Sequence, residues 1–493
     1  MFNAININNK YLFNAYSTSK ISKFLYSDFY YLSVVLFFVV FWALGYTQGP
    51  IFMFIGLACI LLFIAAILIL QKDVLPVIPP LFMAMCIICA PNMPSYMWAI
   101  AIFAGILALA VVFHLFYYRN AEYRVGKLFL PQILLIVVIL LGGIGSRFET
   151  TQSGKLMAFV LIGMCPLFVS FMMMNYVDTE RDILAYFAKI ALYFGVLITI
   201  ELALYYIIKL DYIKTNIYNV PHLGWGISNT VATFFLITFP FGFYLFVNEE
   251  KRILSYIYLL LGVVEYLAIF PTTSRGALIF GSIEFLIVVV VTAFLAKGKK
   301  RKQYYIFAAI MIGLFAIAFG AFYQKLIKAL KIIFNDGMQD SGRFQLYREA
   351  LACFFEYPIF GVGFGYAGSW KQLIDTMGIY QFHDTILQML ACIGIIGLLA
   401  YLYYYYVKLE IIFEKPTNYS LYLLIAYIGY EGYSLINTGT IQGFPTITFV
   451  VALTVAQEIA TKQNEPLIYG QLINRLKNIK HIRSGKEKSL EEE

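Results

Sequence analysis

Fourteen apolar runs, separated by short charged breaks, fill most of this 493-residue chain. Most hold about 18 to 22 residues, enough to cross roughly 30 Å of hydrocarbon at 1.5 Å of helix rise per residue. They fall near 29–46, 51–71, 74–90, 99–118, 128–146, 156–177, 183–207, 227–247, 253–273, 277–296, 304–323, 386–406, 420–437 and 441–460. The third is short and interrupted by Pro76, Pro79 and Pro80, and only Thr438, Gly439 and Thr440 part the last two. Inside lipid every backbone N–H and C=O must be paired within its own segment, which long runs of Leu, Ile, Phe and Val achieve as helices. Composition closes the soluble alternative: 61% of residues are hydrophobic and 13% charged, against about 25% charged in an ordinary soluble domain. The expected architecture is all-α, a polytopic transmembrane helical bundle of about 12 to 14 spans with a partly helical extracytoplasmic loop.

Orientation follows from Lys and Arg, because cytoplasmic loops keep the excess positive charge. With the N-terminus inside, 24 of the 36 basic residues fall on the cytoplasmic side, 11 fall outside, and Lys189 lies within a span. The chain then divides into a cytoplasmic tail (1–28), a bundle of about eleven spans (29–323), an extracytoplasmic loop (324–385), about three further spans (386–460) and a basic cytoplasmic tail (461–493). The first 28 residues lack the apolar core and cleavage site of a signal peptide. Lys297, Lys299, Lys300, Arg301 and Lys302, like the tail from Arg475 to Lys488, read as contacts to anionic membrane lipid, with no nucleic acid implied. The net charge of +8 is therefore mostly topological. Cys59, Cys86, Cys89, Cys165 and Cys392 lie in spans and Cys353 alone in the loop, so no disulfide framework is expected. Cys86-Ile-Ile-Cys89 has redox-motif spacing but no supporting βαβ pattern, and reads as two core cysteines.

The break after residue 323 is too long for a simple connection. Within it, residues 341–357 have the periodicity of an amphipathic helix, with a cap at Asp340 or Ser341 and Arg343, Tyr347, Ala350 and Phe354 on one face. Pro358 stops that helix, and Gly361, Gly363 and Gly365 permit tight turns. A second short helix is predicted over 368–377.

Three polar patches lie near the outer surface. The first is Thr272-Thr273-Ser274-Arg275-Gly276-Ala277, squeezed between two apolar runs. A guanidinium at bilayer centre costs roughly 2.5 to 3.5 kcal/mol, so Arg275 needs the interface, a cavity or an anion. Snorkelling to headgroups is the plain alternative. The second patch is Arg343 with Arg348, and the third is His383-Asp384 at the foot of the next span. A guanidinium fork suits bidentate binding of phosphate oxygens, and an imidazole exchanges a proton near neutrality. Each residue alone has a structural reading: Arg343 on a solvated helix face, His383 capping the helix that follows. Together they resemble an anion clamp with a nearby base.

Their order decides the weighting. Ser274-Arg275-Gly276, then Ser341-Gly342-Arg343 through Tyr357-Pro358-Ile359-Phe360-Gly361-Val362-Gly363, then His383-Asp384 through Leu387-Gln388 and Gly394-Ile395-Ile396-Gly397 resembles the O-antigen ligase and polymerase family, over roughly residues 230 to 405. Tyr347 stands where that family often has Trp, and Asp384 where Asn is common. The resemblance implies a multi-pass glycosyltransferase of the bacterial cytoplasmic membrane, both termini cytoplasmic. It would take a glycan from an undecaprenyl-diphosphate carrier at the outer face, with no cofactor and no metal. Arg275 and Arg343 would hold the diphosphate, with Ser274, Tyr347 and Arg348 in the substrate site, and His383 would assist or orient the attacking hydroxyl. Polymerisation of carrier-linked repeat units is the first expectation, with a chain-length regulator protein as a conceivable partner; transfer to a terminal acceptor, as in a ligase, is the alternative. His222, Asp336 and Asp340 are reserve bases. A transporter or lipid-linked glycan flippase is the competing class, in which Lys189, Glu201, Glu265, Glu284 and Glu431 would line a path.

Overall fold

The computed structural model describes residues 20–88, 97–120, 123–148, 150–209, 223, 226, 228–335, 342–369, 378–437, 439 and 446–461. Each of the fourteen apolar runs coincides with a helix. In chain order the helices are α1 (Lys20–Leu25), α2 (Asp28–Gln48), α3 (Ile51–Leu70), α4 (Ile78–Ile88), α5 (Met97–Tyr117), α6 (Phe129–Leu141), α7 (Gln152–Tyr176) and α8 (Ile183–Ile208). They continue with α9 (Ser228–Asn248), α10 (Arg252–Leu267), α11 (Arg275–Leu295), α12 (Gly298–Asn335), α13 (Arg343–Glu356), α14 (Thr385–Glu414), α15 (Asn418–Ser434) and α16 (Thr446–Thr461). Among the described residues eight helices are long and apolar enough to cross a membrane, namely α2, α3, α7, α8, α9, α10 with its following turn, α11 and α14. Four shorter apolar helices cover Leu75–Ala84, Ala101–Tyr117, Phe129–Leu141 and Thr446–Thr461. The chain is an all-α polytopic membrane protein.

α9 lies at the centre, with 94% of its apolar window buried, and it packs on α8, α10, α11 and α15. A helix that is apolar on every side has no face for solvent, so burial all round is its stable place. Small residues let its backbone approach α10: a Cβ on Gly242 would meet the Gly262 Cα at 2.7 Å. Such close approach is what holds helices together where lipid removes the hydrophobic drive. α11 is the opposite case, only 28% buried, with Leu286, Val290 and Phe294 exposed towards the lipid position.

Several ionisable residues inside the bundle have local partners, whereas both carboxylate oxygens of the buried Glu284 lack a hydrogen bond among the described residues. Lys189 pairs with Asp28 at 3.1 Å, and Tyr258 donates to the same carboxylate at 2.8 Å. Glu265 accepts from Thr238 at 2.7 Å. Lys408 pairs with Glu431 at 3.0 Å beneath the rings of Tyr404, Tyr405 and Tyr427. Lys408 thus lies buried within α14, two residues past the end of the apolar run at 386–406, because the helix runs on to Glu414.

The long segment between the apolar runs ending at 323 and beginning at 386 also departs from its expected start. α12 continues unbroken past Gln324 to Asn335, so the chain leaves helix later than the drop in hydropathy suggests. α13 forms over Arg343–Glu356, burying Leu346, Ala350 and Cys353 against α14. After it, the glycine-rich stretch docks onto a break in α14. At Gly394 the backbone leaves helical geometry (φ 66°, ψ −165°), and the groups freed there find partners in the loop. Val362 N–H donates to Ala391 O at 2.8 Å, Gly363 N–H to Cys392 O at 2.8 Å, and Ile395 N–H to Pro358 O at 2.9 Å. A Cβ on Gly361 would collide with the Ala391 carbonyl, and one on Gly394 with that of Ile359. The two glycines therefore interlock, each required by the other's backbone. The segment after α6 covers this block from outside: Gly143 N–H donates to Phe360 O at 3.0 Å, Phe148 rests on Tyr357 and Tyr366, and Thr150 forms an isolated bridge with Tyr366. The second short helix expected over 368–377 lies largely outside the described residues, as do Ser341 and both chain tails.

Candidate functional site

His383 is placed by its neighbours on both sides. The buried Gln388 accepts from Phe382 N–H at 2.8 Å and donates to Tyr380 O at 2.8 Å, clamping the residues that lead into it. Asp384 caps α14 by accepting from Leu387 N–H at 2.8 Å. The capping role thus belongs to Asp384 and not to His383, and a cap needs only an oxygen acceptor there, which Asp or Asn supplies. Burial pushes the Asp384 carboxyl above its ordinary range. With its neighbours fixed, His383 is held at φ 56°, a left-handed conformation unusual for a residue with a side chain.

Among the described residues, one other non-glycine has positive φ, Thr273 at 60°. It precedes Ser274, the residue at the N-terminal boundary of α11. A serine there ordinarily accepts from a backbone N–H one turn into its helix; Ser274 makes no such bond. Its hydroxyl turns inward and donates to Asn229 Oδ1 at 2.9 Å, while also lying 2.8 Å from the Tyr433 hydroxyl. Two strained backbone positions, each costing about 1 to 3 kcal/mol, flank the same cluster, which is where such strain is characteristically kept.

From Tyr433 the network runs on to the imidazole. Asn437 Nδ2 donates to the Tyr433 hydroxyl at 3.1 Å, and Asn437 Oδ1 lies 3.2 Å from His383 Nδ1. Tyr347 on α13 reaches the His383 carbonyl at 3.4 Å. Arg343, at the start of α13 and half-buried, completes the group. Burial lowers the His383 pKa from its ordinary value; the Asn437 bond opposes this, and the Arg343 guanidinium lowers it further.

Ser274, Arg343, Tyr347 and His383, more than a hundred residues apart at the extremes, therefore meet around one cluster. Arg275 follows Ser274 directly and is half-buried. Arg348 is not brought in: five residues beyond Arg343, it lies about 140° round the helix and is exposed. His222, Asp336 and Asp340 lie outside the described residues. The polar residues that sequence reasoning missed are Asn229, Tyr433 and Asn437. Amides at the ends of two apolar runs, 227–247 and 420–437, were the available signal.

Beside the cluster, between α14 and α15, a lateral pocket of about 250 Å³ is lined by Thr385, Ile386, Tyr401, Leu402, Tyr405, Tyr427, Ile428, Glu431, Gly432, Ser434 and Leu435. Its rim residues Leu402, Ile428 and Leu435 are exposed apolar side chains.

Residues 257–402 match the family model described as O-antigen ligase. Over these residues the chain is similar to the O-antigen ligase family. No curated protein matches the chain. The family region carries Ser274, Arg275, Arg343, Tyr347 and His383, whereas Asn229 and Tyr433 come from helices on either side of it and Asn437 from the turn after the second. The O-antigen ligase domain and the apolar helices together make this chain a membrane enzyme of surface-polysaccharide assembly.

Proposed function

We propose that the protein polymerises undecaprenyl-diphosphate-linked repeat units at the outer face of the cytoplasmic membrane. The observation that carries the reading is the convergence of the three motif segments: Ser274 and His383 belong to one hydrogen-bonded cluster, Arg343 is near enough to act electrostatically on the imidazole, and a largely apolar lateral pocket lies beside them. In the reaction the acceptor hydroxyl attacks the anomeric carbon and passes its proton to His383, and the sugar–oxygen bond to the diphosphate breaks. Negative charge gathers on the departing undecaprenyl diphosphate. Arg343 and Arg275 supply fixed positive charge for it, stabilising the transition state more than the substrate. The lateral pocket beside Thr385 suits the carrier's isoprenoid chain, because its wall is largely apolar and its rim faces lipid. A positioned base contributes typically about 10² to 10⁴ in rate.

The family description favours a second reading, transfer of the glycan to a terminal acceptor. Both share the clamp and the base and differ in the acceptor. Against the transporter reading, Lys189, Glu265 and Glu431 are each engaged by a local partner; Glu284, buried without a hydrogen bond among the described residues, is the residue that favours it. Deletion of the gene decides among them. Single repeat units left on the carrier support polymerase, long chains left on the carrier support ligase, and Arg275→Ala, Arg343→Ala or His383→Ala should reproduce the deletion at normal protein level. Full-length surface polysaccharide from all three variants, in a strain with no second polymerase or ligase, overturns the enzyme reading.

A further inference from the structure

The polarity of the hydrogen-bond chain determines which nitrogen of His383 carries its proton. Ser274 spends its single hydroxyl proton on Asn229 Oδ1. The Tyr433 hydroxyl, 2.8 Å away, must then donate to Ser274 Oγ, which leaves the phenol oxygen as an acceptor. Asn437 Nδ2 fills that place at 3.1 Å, so its amide is turned with Oδ1 towards the imidazole. An amide oxygen only accepts, so His383 Nδ1, 3.2 Å from it, is the protonated nitrogen. Nε2 is left with its lone pair.

We propose that Asn437, oriented by Tyr433, is a positioning residue that holds His383 as the neutral Nδ1–H tautomer, with Nε2 as the proton-accepting atom. The inference rests on the reading of His383 as the base. The choice of an amide over a carboxylate matters. A carboxylate would stabilise the imidazolium and fill the base with a proton before the acceptor arrives, whereas an amide fixes the ring without adding charge. The groups near the ring are consistent with this: Arg343 from α13 disfavours a second positive charge, Tyr347 reaches the His383 backbone carbonyl, Tyr433 is engaged with Ser274, and the Asp384 carboxylate is turned to its cap. Asn437 and Tyr433 lie beyond residue 402, outside the family region.

The test is nitrogen NMR of the full-length protein in lipid nanodiscs, labelled at histidine ring nitrogens. A His383→Gln sample identifies the signal among the four histidines. The wild type should show Nδ1 protonated and Nε2 bare, with the second proton taken up only below about pH 6.5, the ordinary histidine value. Asn437→Asp should move that uptake upward by roughly 1 to 3 pH units. Tyr433→Phe, which keeps the ring and frees the amide to turn, should give a mixture of tautomers even if Asn437 variants accumulate poorly. A wild-type Nε2–H tautomer, or an uptake midpoint unmoved in folded Asn437→Asp, overturns the proposal. Neither readout requires turnover, so loss of the enzyme reading would leave these results interpretable on their own.

Discussion

Arg343 begins α13 directly after Gly342, whose left-handed turn (φ 75°) brings the chain round into the helix. Its guanidinium is near enough to lower the pKa of His383, yet it remains half-buried, as the proposed clamp on a diphosphate requires. Arg343→Ala should therefore reduce turnover by about 10² to 10³, the usual loss for one fixed donor at a developing charge. Arg343→Lys should recover little of it, because an ammonium lacks the planar fork. The measurement is consumption of carrier-linked glycan by membrane vesicles at matched protein level. An Arg343→Ala enzyme within threefold of wild type would remove the residue from the clamp. The residues legible in advance were those whose chemistry is rare in an apolar chain, the arginines and the histidine. Tyr433 was not among them, being one of 39 tyrosines with nothing local to distinguish it. Its importance depends on Ser274 facing it, which only the packing of α11 against α15 creates.

At the scale of elements, long apolar runs announce their helices, because no other structure pairs the backbone within lipid. Boundaries and breaks are less visible. α12 outruns its apolar stretch, since helix formation continues through polar residues once started. The break in α14 at Gly394 was hidden, because a glycine in an apolar run has many uses and this one depends on Ile359, far off in sequence. The same dependence makes it testable. Gly145 also has positive φ (82°) but nothing within 4 Å of an added Cβ, so Gly145→Ala should cost only the backbone penalty of about 1 to 2 kcal/mol. Gly394→Ala adds a collision with backbone and should cost about 2 to 5 kcal/mol, read as a larger fall in the unfolding midpoint of the purified protein. Equal falls for the two would show that the interlock with Gly361 carries no weight.

Considered whole, the molecule places its reacting cluster at one end of the bundle and its densest cationic segment, Lys297 to Lys302, at the start of α12. Lys300 is drawn inward, donating to the carbonyls of Phe246 and Val247 at 3.2 and 2.7 Å, while Lys299 stays exposed. On the orientation proposed from the charge asymmetry, α13 lies outside and this segment in the cytoplasm. In a cysteine-depleted background, a thiol replacing the exposed Phe355 should react with an impermeant reagent in intact cells, and one replacing Lys299 should react only after lysis. The reverse pattern would invert the orientation and move the proposed chemistry to the cytoplasmic face.

The cluster around His383 also draws on more of the chain than the region shared with the family. Asn229 comes from α9, and Tyr433 and Asn437 from α15 and the turn that follows it. A chimera that transplants residues 257–402 into a foreign scaffold would thus inherit the imidazole and the arginines without the amide that orients one and the serine's inward partner. What such a graft would lack is the frame of reference for the reacting groups, so the smallest exchangeable unit for re-engineering this site runs from α9 through Asn437.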